Sequence, residues 1–187
     1  MHQELLRELA VITEEEQRIL DGQNGIDQQI YTEKKEMVID SKKLLKKGKL
    51  IQVRPHTRFV HFPAHTHNYI EVIYMCCGTT THIVNGNKVV LNEGDLLFLN
   101  QNAVQEILPA GEDDIAVNFI VLPEFFGTAF SMVGDGENQL KKFLVGALCG
   151  KDGETSYLYF HVADILPIQN LIENMVWTIF YDSANKR

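Results

Sequence analysis

Residues Thr79–Val84 and Asn87–Leu91 are two runs rich in β-branched side chains, and only Asn85-Gly86 lies between them. Both residues of an Asn-Gly pair tolerate positive φ, so this is the strongest short-range signal for a two-residue β-hairpin. Similar short runs flank it at Phe59–Pro63, Tyr69–Cys77, Leu96–Leu99 and Ile115–Leu122, the last stopped by Pro123. A tight turn, Asn92-Glu93-Gly94-Asp95, introduces Leu96. Many short antiparallel strands separated by turns predict a barrel or sandwich and argue against a βαβ fold.

The flanks read differently. Leu5, Leu6, Leu9 and Ile12 recur at helical spacing, and Thr13 with Glu16 three residues on is a capping box that starts a second helix. Gly22 and Gly25 close it. A short helix is expected over Lys42–Lys47, with Asp40 or Ser41 in front and Gly48 behind. Beyond Pro123 come a glycine-flanked break at 134–136, a helix over Gln139–Leu148 and a closing strand over Tyr157–Val162. A long amphipathic helix follows from about Pro167, with Ile168, Leu171, Ile172, Met175, Val176, Ile179 and Phe180 as its apolar stripe. The expected organisation is a helical region at 1–49, a β core at 50–125, a helix and closing strand at 126–164, and the C-terminal helix at 165–187.

Composition narrows the function classes. With 187 residues and 45% hydrophobic content, the chain has enough for one core with modest appendages. No apolar run approaches the roughly 20 residues of a membrane span. The polar, acidic start Met1-His2-Gln3-Glu4 argues against a secretory signal, so a cytoplasmic protein with no membrane partner is expected. Cys76, Cys77 and Cys149 have no metal-type spacing and read as reduced, buried thiols. Net charge is −8, a poor match for wrapping nucleic acid unaided. Nine of the seventeen Lys and Arg fall between Lys34 and Arg58, and that run reads as a solvated face.

The chemistry gathers at His65, His67 and Glu71, which strand alternation places on one face of a single predicted strand. In a closed barrel that face is the interior. Two imidazoles and a carboxylate there are costly unless they bind one another, a divalent metal or a polar small molecule. The run His65-x-His67-xxx-Glu71-xxxxxx-Gly78 resembles the first cupin motif, and Gly94-Asp95-Leu96-Leu97-Phe98-Leu99-Asn100 resembles the opening of the second. The resemblance implies a mainly β protein with flanking helices: a cupin-type double-stranded β-helix, or jelly-roll-like barrel. Metal-dependent cupins carry a further His in the second motif, where this chain has Gln105, a weaker ligand for softer ions. No resident metal or other cofactor is therefore expected; if one were held, the set would be His65, His67, Glu71 and Gln105.

Residues 63–74, together with Gly78 and the Gly94-Asp95 turn, are similar to the effector-binding domain of AraC-type transcription regulators, and the likeness extends over about Leu50 to Arg187. It implies a non-enzymatic domain that senses a sugar-like or other polar metabolite, forms a homodimer through its helices, and reaches DNA only through a separate helix-turn-helix domain. That domain is expected beyond Lys186-Arg187, the chain being a truncation. The alternative is a metal-dependent cupin enzyme, a dioxygenase or sugar isomerase. Candidate ligand-binding residues are His65, His67, Glu71, Met75, His82, Gln105 and Asn118, with no catalytic residue; Ile168, Leu171, Met175 and Ile179 are the candidate dimer contacts. Tyr69 and Tyr74 are further candidates for the pocket or its wall. His56 and Arg58 could reach the barrel mouth and meet an anionic effector but are expected to pair at the surface, and the N-terminal helices to cover one barrel opening or extend the interface.

Overall fold

The hairpin forms at the Asn-Gly pair. In the computed structural model, which describes residues 1–126, 139–149 and 155–184, Asn85 and Gly86 have φ of 51° and 81°. They join β5 (Thr79–Val84) to β6 (Asn87–Asn92) in unbroken antiparallel register. The glycine break at 134–136 and the last three residues lie outside the described residues.

The remaining strands are β1 (Val38–Ile39), β2 (Ile51–Pro55), β3 (Phe62–His67), β4 (Ile70–Cys77), β7 (Leu96–Leu99), β8 (Gln105–Ile107), β9 (Ile115–Val121) and β10 (Tyr157–Phe160). They make two five-stranded sheets, in the orders β1-β3-β8-β5-β6 and β10-β7-β4-β9-β2. Every pairing is antiparallel except β1 with β3. This is the mainly β, cupin-type fold expected of the sequence. The region 1–49 is not purely helical, because β1 adds an edge strand to the first sheet.

Strand β4 shows how the layers are assigned. Ile70, Val72, Tyr74 and Cys76 join one apolar cluster, whereas Ile73 and Met75 join another. The first cluster includes Leu5 and Leu9 of α1 (Gln3–Ala10), Phe143 and Leu144 of α5 (Gln139–Cys149), and Ile172 and Val176 of α6 (Leu166–Ala184). One face of the second sheet is therefore covered by helices, and the other lines the barrel. Burial on both faces is why β4 reads as a nearly continuous apolar run. Tyr74, a candidate for the pocket wall, points to the helical side and donates its hydroxyl hydrogen to Gln169 Oε1 of α6.

The capping box at Thr13 forms as expected and starts α2 (Glu14–Leu20). The short lysine-bearing helix is α4 (Ser41–Leu44), capped by Asp40 and shorter than the sequence pattern suggested. Between them lies α3 (Gln28–Tyr31), whose Tyr31 packs edge-on against Phe62 at 4.9 Å between ring centroids. Tyr31, Ile39 and partly buried Leu44 belong to the cluster containing Phe62, Tyr69 and Ile120. The N-terminal segment thus covers part of the barrel.

Candidate functional site

His65, His67 and Glu71 do not share a strand. The chain leaves β3 after His67 and enters β4 at Ile70, crossing from one sheet to the other. Asn68 marks the crossing: its Oδ1 accepts from the Ser41 backbone N–H, and its Nδ2 donates to Asp40 Oδ1. The three groups nevertheless converge, because both sheets face the same interior.

They line a cavity of about 30 Å³ with Asn118, Arg54, His56, Tyr31 and others. At roughly 10–15 Å³ per water, it has room for about two. Asn118 of β9 bridges two of these residues. Its Nδ2 donates to Glu71 Oε1 at 2.9 Å, and its Oδ1 lies 2.8 Å from His56 Nδ1. His67 Nε2 approaches Glu71 Oε2 at 3.4 Å, while His65 Nδ1 lies 2.7 Å from the Pro63 carbonyl oxygen. Three buried lining atoms are left without a hydrogen-bond partner: His56 Nε2, His67 Nδ1 and Glu71 Oε2. Burial holds the imidazoles neutral. It lowers His67 to about 3, and with the neighbouring His67 it lowers His65 to about 4. Burial also lowers His56.

Met75, His82 and Gln105 are fully buried in the barrel but are not among the residues lining this cavity. His82 Nε2 lies 2.9 Å from Thr80 Oγ1, His82 Nδ1 lies 2.9 Å from Gln105 Nε2, and Thr80 donates to Met75 Sδ at 3.5 Å. The His56 and His82 rings are 5.6 Å apart, centroid to centroid, so the two polar networks are neighbours. Gln105 pairs with His65 across β8 and β3, and its Oε1 also has no partner.

Surface pairing of His56 and Arg58 is not what forms. His56 is 4% and Arg58 2% exposed; Arg58 is locked to Glu16 of α2. Sequence reasoning also missed Tyr31 and Arg54. Tyr31 donates to Glu15 at 2.7 Å, and Arg54 Nη2 lies 3.3 Å from the Tyr31 hydroxyl and 3.5 Å from Glu15 Oε2. No local pattern links residues 15, 31 and 54; only the fold does.

A resident metal is tested by donor geometry. Among the described residues, no group of three or more His, Cys, Asp or Glu side chains is arranged to hold one. His65, with Nδ1 on a carbonyl, keeps Nε2 bare, but His67 turns Nε2 toward Glu71 Oε2 at 3.4 Å without bonding it. The residues present do not fit a three-ligand centre.

On the C-terminal helix, Ile172 and Val176 are buried against the second sheet, and Ile168, Met175 and Ile179 pack partly buried on the same cluster. Leu171 is 60% exposed. No helix of the described residues is long and apolar enough to cross a membrane.

Residues 50–126 match the family model described as the AraC-like ligand binding domain. No curated protein matches the chain. Among solved structures, an apo ToxT variant from Vibrio cholerae aligns at 9% identity and a TM-score of 0.48, covering 70% of this chain and 49% of its own. Wild-type ToxT from the same species with bound unsaturated fatty acid aligns at 11% identity and a TM-score of 0.45, covering 66% and 45%. KdgF from a Halomonas species aligns at 14% identity and a TM-score of 0.33, covering 41% of this chain and 84% of its own. The chain spans about half the length of the ToxT chains it matches. Residues 50–126, which carry most of the two sheets, are thus similar to the AraC-like ligand-binding domains.

Proposed function

We propose that the chain is the effector-sensing and dimerisation part of an AraC-type transcription regulator, a sensor and not an enzyme. The observation that carries this reading is the set of buried, partnerless polar atoms on His56, His67 and Glu71 around the cavity of a ligand-binding domain. Buried polar atoms without partners each cost about 1–3 kcal/mol, so a polar molecule that satisfies several binds with a matching gain. A sugar-like or other polar metabolite has the required chemistry.

Tyr31, Ile39 and Leu44 of the N-terminal segment form part of the wall of this small cavity. A metabolite larger than a few waters displaces some of that wall, and so biases the N-terminal segment between two arrangements. The bias is limited by the ligand's differential affinity for the two. A homodimer formed through the exposed side of α6, with Leu171 at its centre, would carry the change to a helix-turn-helix domain on the longer protein. The test is DNA binding by the longer gene product, with and without metabolites that raise this domain's melting temperature. A longer product that binds no DNA, or whose DNA binding ignores every stabilising metabolite, overturns the reading.

A further inference from the structure

The direction of each hydrogen bond around the cavity follows from its partner. A carboxylate oxygen only accepts, so the Asn118 amide must turn its Nδ2 to Glu71 Oε1 and its Oδ1 to His56 Nδ1. His56 Nδ1 therefore carries the hydrogen, and Nε2 is a bare lone pair. The Pro63 carbonyl likewise only accepts, so His65 carries its hydrogen on Nδ1 and leaves Nε2 bare. The edge of His67 that faces Glu71 Oε2 is Nε2, and a lone pair there would repel the carboxylate, so Nδ1 is the bare nitrogen.

The neighbouring network obeys the same logic. Thr80 spends its hydroxyl hydrogen on Met75 Sδ and accepts from His82 Nε2. His82 Nδ1 then accepts from Gln105 Nε2, which leaves Gln105 Oε1 as the partnerless atom. Every partnerless buried atom named in the two networks is thus an acceptor: His56 Nε2, His67 Nδ1, Glu71 Oε2 and Gln105 Oε1. Burial, which disfavours the imidazolium form, keeps His56, His65, His67 and His82 from becoming donors at neutral pH.

We propose that the barrel selects its effector as a hydrogen-bond donor: the bound group presents several O–H or N–H hydrogens and no negative charge, and Asn118 is the residue that sets this polarity. The proposal deepens the effector-binding reading and rests on it. Two sources share the chemistry, the hydroxyls of a polyol and the N–H groups of an ammonium or amidinium cation. A carboxylate or phosphate placed against Glu71 would meet like charge and the histidine lone pairs, while Arg54, the cation in the lining, is already held by Tyr31 and Glu15.

The test uses the chain itself, labelled with ¹⁵N at its histidine rings, because ring-nitrogen shifts report the tautomer directly. His56 and His65 are expected as the Nδ1–H form and His67 and His82 as the Nε2–H form at neutral pH. Glycerol, methylguanidinium and glycerate are then added at equal concentration. Movement of His56 Nε2 and His67 Nδ1 with glycerol or methylguanidinium, and none with glycerate, supports the proposal; which of the two donors acts identifies the source. The opposite tautomer at His56, an equal response to glycerate, or no response to either donor overturns it. Glu71→Gln turns an acceptor into an amide that can donate, and is expected to weaken the donor probe at least tenfold. If that variant does not fold, the wild-type spectra still decide. The regulator reading fails separately, on DNA, with the longer protein.

Discussion

Arg58 Nε stands 2.7 Å from Glu16 Oε1, with the two side chains only 3% and 1% exposed. The same guanidinium donates to the carbonyl oxygens of Ala10 and Glu112, and the Arg58 backbone N–H adds a further bond to Glu16. One buried charge thus ties the α1–α2 turn to the segment after β2 and to the loop before β9. Arg58→Ala leaves Glu16 charged and buried, and is expected to cost about 3–5 kcal/mol in urea unfolding. A loss below about 1 kcal/mol would mark the pair as an ordinary surface contact.

Glu16 gives that latch a pH signature. Burial alone would raise its carboxyl, but hydrogen bonds from Arg58 and the Thr13 backbone, with the Arg58 charge, hold it below the usual 4.5. The folded value is the lower one, so this stabilisation is complete above the unfolded value and is lost as pH falls through the folded one. Glu16→Gln is expected to flatten the acid limb of the stability curve below about pH 4.5. An unchanged acid limb would contradict it.

The pocket histidines titrate in a different window. His65 and His67 are held at about 4 and about 3, against 6.5 for a free imidazole. The unfolded chain binds their protons first, so stability is full above about pH 6.5 and falls as pH drops toward about 4 and below. The full shifts correspond to about 3 kcal/mol for His65 and about 5 kcal/mol for His67. His67→Gln should reduce the slope of unfolding free energy against pH between about 6.5 and 4. A slope identical to wild type would show that His67 already titrates normally.

Gly94 turns the chain into β7 with φ of 87°, and a Cβ there would lie 2.7 Å from Ala163 Cα, just before α6. Both the backbone strain and the close approach oppose a side chain. Gly94→Ala is expected to cost about 2 kcal/mol or more. Gly86→Ala has equal need of positive φ but open space around it, so its cost should be nearer 1 kcal/mol. Equal melting temperatures for the two variants would refute the distinction.

Leu171 tests the proposed dimer. It is 60% exposed, so Leu171→Glu should leave unfolding free energy within about 0.5 kcal/mol of wild type. In sedimentation velocity the same variant is expected to run as a monomer beside a dimeric wild type. A monomeric wild type removes the interface.

Local pattern was enough for much of this protein. Asn85-Gly86 specified its hairpin because backbone sterics act over two residues, and Thr13 with Glu16 specified a helix start because capping spans a single turn. The motif spacing of His65, His67, Glu71, Gly78 and Gly94 was enough to anticipate the barrel, but not the place of Tyr31, Arg54 and His56 around its cavity. Tertiary structure decided the rest, because those features depend on atoms far apart in the chain. Only the crossing at Asn68 puts His67 and Glu71 in different sheets, and only burial under α2 turns Arg58 from a surface charge into a latch. Residues 56, 71 and 118 acquire a common hydrogen-bond direction solely by meeting inside the barrel, where the Glu71 carboxylate can only accept.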